Sequence, residues 1–220
     1  SFDNFSIQSK DGSSKHVDYL SHRKIHESSS DFNSETDCQD DPISIGSAVD
    51  FCHSSPDEIV IFGTGGTSAY TETTKSPFFN LPVKTIRILE GVTSIGAYLF
   101  FTSHAETIEI SSTVKTIGTL AFKNCFNLLA YQVDPNNPSF SSDSDGVLLS
   151  KSQAIFRNYP IGKPDTSYVI PSTVTTLSTY AFEYALNLKR IEIGSKVPQT
   201  INVLVFANLY NLEEITVNGN

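Results

Sequence analysis

Five side chains with the chemistry of metal ligands lie in the first quarter of the chain: His22, His26, Cys38, Cys52 and His53. The His22-x-x-x-His26 spacing would place two imidazoles on one face of a helix, and imidazole and thiolate are ligands that Zn²⁺ prefers. No Cys-x-x-Cys clamp accompanies them, and Cys38 and Cys52 serve equally well as a disulfide if the compartment is oxidising. We therefore predict no cofactor, and a metal-dependent domain built on these residues stays as an alternative.

Two further motifs are fragments of ligand-binding loops. Gly63-Thr64-Gly65-Gly66 has the glycines of a phosphate loop but lacks the Lys-Ser/Thr that would follow. Asp143-x-Asp145-Gly146 begins like a calcium loop but lacks the third acidic position and the distal Glu. Both motifs therefore predict turns.

The sequence offers no pattern for catalysis. It contains no G-x-S-x-G nucleophile elbow. Glu213 and Glu214 adjoin a predicted strand, where neighbouring side chains point to opposite faces, so they are not a natural acid/base pair. We predict that the chain is not an enzyme.

Composition excludes several classes of partner. The chain of 220 residues carries a formal net charge of −9, most of it in residues 1–58. Nucleic acids and anionic lipids bind clustered Lys and Arg, so neither is an expected partner. No apolar run approaches the roughly 18 residues that cross a bilayer, so we expect no membrane insertion.

A repeated phenylalanine indicates how the chain is organised. In four segments a phenylalanine stands five positions after the Ile or Leu of a V-x-x-I/L step or its equivalent, and we predict that these phenylalanines are core residues. The four aromatic residues are Phe100, Phe122, Phe182 and Phe206.

Short alternating triplets recur beside these phenylalanines and predict strands with one buried face. They lie at residues 86–88, 108–110, 131–133, 168–170, 191–193 and 215–217. The triplets recur about every 23 residues, with one long interval of 37 residues. Such a period predicts a leucine-rich repeat solenoid, with six strands on one concave face and one insertion.

Residues 170–193, IPSTVTTLSTYAFEYALNLKRIEI, resemble the BspA-like leucine-rich repeat, I-P-x-x-V-x-x-I-G-x-x-A-F-x-x-C-x-x-L-x-x-I-x-I. Residues 59–100 resemble the segment that usually opens such arrays, and residues 134–171 resemble a longer variant in which a Gly-Val-Leu hairpin replaces the helical turn. The resemblance implies a right-handed α/β solenoid over 59–217, with parallel strands on the concave face and helical turns or extended segments on the convex side. We expect residues 1–58 to form an N-terminal cap or flanking segment.

The same resemblance implies function. Family members are displayed on or secreted from microbial cells and are linked to adhesion, so we expect a cell-surface or secreted module that binds protein or glycan on host or neighbouring cells. A spacer without a ligand is a further alternative. The candidate binding residues are polar residues in the strands of the predicted concave face: Thr85, Arg87, Thr107, Glu109, Gln132, Arg190, Glu192, Glu214 and Thr216.

Overall fold

A computed structural model describes residues 37–197 and 201–218, and these residues form a solenoid of stacked coils built from short strands. His22, His26 and residues 1–36 of the expected N-terminal cap or flanking segment lie outside the described residues. The strands are β1 Ile43–Ser44, β2 Val49–Ser55, β3 Glu58–Gly63, β4 Gly65–Gly66, β5 Thr85–Ile88, β6 Val92–Ile95, β7 Thr107–Ile110, β8 Thr116–Ile117, β9 Ala130–Val133, β10 Phe140–Ser142, β11 Leu148–Ser150, β12 Ile155–Asn158, β13 Ser167–Val169, β14 Thr176–Leu177, β15 Arg190–Gly194 and β16 Glu214–Asn218.

Successive coils stack in register. β3, β5, β7 and β9 pair in parallel, so that Ile86 lies beside Ile108 and Ile108 beside Tyr131. Ile86 and Ile88 are buried while Thr85 and Arg87 are half-buried, as the alternation of the triplets predicts. All six predicted triplets lie in or overlap a strand.

The expected helical turns are absent from residues 38–197. The segments that precede Phe100, Phe122 and Phe182 are turns, whereas a 3-10 helix, Val203–Phe206, contains the fourth phenylalanine. Leu120 and Tyr180 adopt positive φ of 55° and 62°, a left-handed conformation that interrupts a right-handed helix. Backbone amides here bond to the adjacent coil instead, as Phe100 N–H does to the Ala121 carbonyl at 2.8 Å. The α/β description is therefore corrected to a β-solenoid.

The six triplet strands form two sheets rather than one row. β5, β7 and β9 belong to the first sheet, whereas β13, β15 and β16 form a second. Between them β10 pairs antiparallel with β11, and Gly146 lies in the turn that joins these two strands. The Gly146 carbonyl accepts the Tyr131 N–H at 2.8 Å, so the hairpin turn occupies the edge that β13 would otherwise pair with.

The aromatic core is divided in the same way. Ring centroids lie 5.2 Å apart for Phe78 and Phe100, and 5.6 Å apart for Phe100 and Phe122. A second stack joins Phe182 to Phe156 at 4.6 Å and to Phe206 at 5.6 Å. The four predicted core phenylalanines therefore lie in two stacks, two in each.

The N-terminal end of the first sheet is antiparallel. β1 pairs with β2 and β2 pairs with β3, so the boundary expected between residues 58 and 59 falls at the beginning of β3. Cys38 and Cys52 form a disulfide, with their Cα atoms 5.6 Å apart. Cys125 is a free, buried thiol whose pKa burial raises to about 12. Among the described residues, no helix has the length and apolarity to cross a bilayer.

Truncation of the second stack tests the packing. Phe182 is fully buried against four aromatic rings, so we expect Phe182→Ala to lower the free energy of unfolding by about 3–5 kcal/mol. Phe126 is 48% exposed, and Phe126→Ala should cost less than about 1 kcal/mol. Urea unfolding of both variants measures the difference, and equal losses would contradict the assigned stack.

Thiol labelling tests the cysteine assignment. In denaturant without reductant we expect one cysteine, Cys125, to react with iodoacetamide, because Cys38 and Cys52 are bonded to each other. In the native protein Cys125 should stay unlabelled, since it is buried and its raised pKa leaves it a thiol. Mass spectrometry counts the adducts. Three adducts in the unreduced, denatured protein would disprove the disulfide.

Candidate functional site

The nine candidate residues lie on one side of the two triplet sheets, which we call the ladder face. On the first sheet Thr85 pairs with Thr107, and Arg87 lies beside Glu109, which lies beside Gln132. On the second sheet Arg190 pairs with Glu214, and Glu192 with Thr216. The intervening isoleucines Ile86, Ile108 and Ile191 are buried, so the candidates point away from the core.

On the first sheet, Arg87 forms ion pairs with glutamates of the neighbouring strands. Arg87 Nε lies 3.1 Å from Glu109 Oε2, and Arg87 Nη1 lies 3.7 Å from Glu58 Oε1. Ser54 Oγ donates a hydrogen bond of 2.6 Å to the same Glu58 oxygen. Two carboxylates therefore hold the Arg87 guanidinium, and the side chain of Arg87 is 33% exposed. In this part of the ladder face, one arginine and two glutamates form an ion-pair network in which negative charge exceeds positive charge.

The second sheet is more open. Arg190, Glu214 and Thr216 are exposed, and within the described residues Arg190 has no ion-pair partner. Val169 lies directly beside Glu192 and is 60% exposed. Arg190 pairs with Ser167 on the same strand as Val169, so an exposed arginine and an exposed apolar residue share this face, and both kinds of residue contribute to protein interfaces.

Sequence reasoning missed two members of this face. Val169 is the central residue of the Tyr168-Val169-Ile170 triplet, so the alternation itself places it outward. Glu58 begins β3 and lies beside Thr85. The pattern Glu58-Ile59-Val60-Ile61 would place Glu58 on the ladder face only if β3 were recognised as a further strand of that sheet.

Three residues of the alternative metal-dependent domain, Cys38, Cys52 and His53, lie among the described residues, and each has another partner. Cys38 and Cys52 are bonded to each other, and His53 Nδ1 lies 2.6 Å from Asp40 Oδ2. Burial alone would raise the pKa of Asp40, but its hydrogen bonds with His53 outweigh that effect and the pKa is lowered. No three His, Cys, Asp or Glu side chains among the described residues form a cluster that would hold a metal.

The calcium-like motif is a turn. Asp143 Oδ1 accepts the backbone N–H groups of Asp145 at 3.0 Å and Val147 at 2.8 Å. Its second oxygen accepts the Tyr168 hydroxyl at 2.6 Å. Both carboxylate oxygens thus stabilise the hairpin turn and tie it to β13. In the glycine-rich segment, Gly63 ends β3 and Gly65 begins β4, and their φ of 106° and 103° allow the bend at Thr64 between the two strands.

A family model described as "BspA type Leucine rich repeat region" matches residues 64–144 and 154–220 in six copies. The chain belongs to the BspA-type leucine-rich repeat family. The β-solenoid and the spacing of its strands agree with that assignment. No curated protein matches the chain.

Three solved structures are similar to this BspA-type chain. A leucine-rich repeat protein from Eubacterium ventriosum is 19% identical with a TM-score of 0.45, covering 81% of this chain and 73% of the other. The pneumococcal vaccine antigen PcpA is 19% identical with a TM-score of 0.46, covering 80% and 70%. A leucine-rich cell surface protein from Faecalibacterium prausnitzii is 15% identical with a TM-score of 0.32, covering 82% and 96%.

Replacement of Asp143 distinguishes a structural turn from a calcium site. We expect Asp143→Ala to lower the free energy of unfolding by about 2–3 kcal/mol, because it leaves the buried Tyr168 hydroxyl and two backbone amides without their acceptor. Asp145→Ala removes an exposed carboxylate and should change it by less than about 0.5 kcal/mol. Thermal unfolding with and without Ca²⁺ is the measurement. Stabilisation of the wild type by Ca²⁺ would contradict a purely structural role for Asp143.

Proposed function

We propose that this chain is a non-enzymatic binding module, secreted or displayed at a cell surface, that recognises protein or glycan on host or neighbouring cells. The observation that carries the proposal is the ladder face, an array of polar side chains held in register by parallel strands. A rigid array of this kind presents side chains at a spacing of about 4.8 Å, so binding requires little ordering of the surface.

The second sheet is the part of the ladder face on which we place the binding contacts. Arg87 is already held by Glu58 and Glu109, so a ligand would have to displace an internal carboxylate to reach it. Arg190 is exposed beside Glu214, and the exposed Val169 lies on the neighbouring strand beside Glu192. Arginine is enriched among the residues that dominate interface energies.

The disulfide supports a location outside the reducing cytosol. Disulfides persist in oxidising compartments and are rare where glutathione keeps thiols reduced. The Cys38–Cys52 bond therefore agrees with secretion or surface display. The alternative metal-dependent domain loses both of its cysteine ligands to that bond, whereas the alternative of a spacer without a ligand stands as the main competitor.

Charge reversal on the second sheet tests the proposal. The labelled chain is applied to an array of purified host extracellular-matrix proteins and glycans, together with Arg190→Glu, Val169→Ser and the control Lys196→Glu. Lys196 is exposed and is not a ladder residue, so the control makes the same change of charge as Arg190→Glu. We expect Arg190→Glu to weaken binding about tenfold or more and Val169→Ser to weaken it by a smaller factor, with Lys196→Glu unchanged.

Two outcomes would count against this account. Absence of saturable binding to every array member would favour the spacer. Binding that persists unchanged in the Arg190 and Val169 variants would remove the ladder face from the proposal. Thermal unfolding of each variant confirms that a loss of binding is not a loss of folding.

A further inference from the structure

The long repeat leaves a cleft that no residue of the ladder face lines. The cleft has a volume of about 580 Å³, within the usual range for ligand sites. One wall is the segment 115–124 that contains β8, and the other includes Asn158, Ile161 and Tyr180. Phe122, Phe140 and Leu148 line it with apolar surface. The hairpin β10–β11 replaces a regular coil between these two segments, so the two walls of the cleft do not pair with each other.

Backbone donors are left open at the first wall. In regular coils the N–H of the repeated phenylalanine bonds to the following coil, as Phe100 does to Ala121 at 2.8 Å and Phe182 to Val205 at 3.0 Å. The amide two residues later does the same, as Thr102 N–H does to the Lys123 carbonyl at 3.0 Å.

The equivalent donors on segment 115–124 are the Phe122 and Asn124 amides. Within the part of the chain that the structure describes, neither has a backbone acceptor. Open, evenly spaced amides are the feature to which an added strand binds.

Asn124 also has an unpaired acceptor. Its Oδ1 atom is buried and has no hydrogen-bond partner within the described residues. A buried polar atom without a partner is costly, so a ligand that donates a hydrogen bond here would be favoured. Two amide donors with one carbonyl acceptor beside them complement an extended backbone, which presents both C=O and N–H groups.

The charges of the cleft favour an acidic partner. Lys115, Lys123 and Arg157 line it, against a single carboxylate, Glu183. Lys123 is bonded to Glu72 at 2.7 Å, whereas Lys115 and Arg157 are exposed, and the Arg157 guanidinium lies 5.9 Å from the Phe140 ring. Burial also raises the pKa of Glu183, although the nearby Lys123 opposes that shift. In a chain of net charge −9, this cleft is a local cationic site.

We propose that the cleft binds an extended acidic peptide segment of a partner protein by strand addition. The peptide carbonyls accept the Phe122 and Asn124 N–H groups, and one apolar side chain packs on Phe122, Phe140 and Leu148. Flanking carboxylates pair with Lys115 and Arg157. The site is separate from the ladder face and adds a second interaction surface to the proposed function.

The test uses the full chain and a defined probe. The probe is an end-blocked, fluorescent peptide of about nine residues, with a Leu-Val-Leu centre flanked by glutamates, and its control carries lysines in place of the glutamates. We expect saturable binding of the acidic probe with a Kd below about 1 mM, and at least about threefold weaker binding to Lys115→Glu and to Arg157→Glu. Lys196→Glu is the matched control and should bind as the wild type does.

Amide hydrogen exchange provides the second readout. In the free protein the Phe122 and Asn124 amides should exchange faster than those of Phe100 and Phe182, and saturation with the acidic probe should slow them at least about tenfold. Absence of binding, equal binding of the lysine probe, or unchanged exchange at both amides would overturn the proposal. Concentration-dependent dimerisation abolished by the same reversals would assign the edge to a second copy and would also overturn it. None of these results depends on whether the ladder face binds a ligand.

Discussion

Stacking of one coil on the next is the constraint on which the rest of this structure depends. Fixing the backbone of each residue costs about 1–2 kcal/mol, and one coil buries only a few large apolar side chains. The β5 strand therefore gains its hydrogen bonds from β3 and β7, and Phe100 gains its ring contacts from Phe78 and Phe122. Because neighbours must match in register, residues with the same position in the repeat become neighbours in space. The ladder face is a direct consequence of that register.

The long repeat interrupts this regularity and has two consequences. The hairpin turn around Gly146 pairs with β9 and divides the triplet strands into two sheets, with Tyr168 bonded to Asp143 of the turn. The same hairpin leaves the Phe122 and Asn124 amides without the following coil. One insertion thus separates an ion-paired part of the ladder face from an open part and also creates the cationic cleft.

The parts of the fold that depend on side-chain periodicity could be predicted from the sequence. The alternation in Ile86-Arg87-Ile88 and its equivalents located all six triplet strands, because a strand with one buried face alternates apolar and polar residues. The helical turns predicted before Phe122 and Phe182 were wrong, because nothing in the sequence around Leu120 or Tyr180 specifies a positive φ. Phe78 and Phe156 belong to the aromatic stacks but lie outside the repeated motif, so the motif could not find them.

The candidate site was predictable only as a set of outward positions. Whether a charged residue is open or occupied depends on its neighbours across the sheet, and the pairing of Arg87 with Glu58 joins strands that the period did not connect. The only sequence feature that points to the cleft is the interval of 37 residues between two triplets. The sequence does not show which backbone amides lack an acceptor, because that depends on how the neighbouring coils pair.

Native-state amide hydrogen exchange tests the central claim, that in-register pairing between coils holds the molecule together. Ile108 in β7 and Ile191 in β15 lie in strands bonded on both sides, whereas Ser144 and Asn187 lie in exposed turns. If pairing between coils stabilises the molecule, the two isoleucine amides exchange orders of magnitude more slowly than the two turn amides. Exchange of Ile108 and Ile191 at the rate of the turns would contradict it.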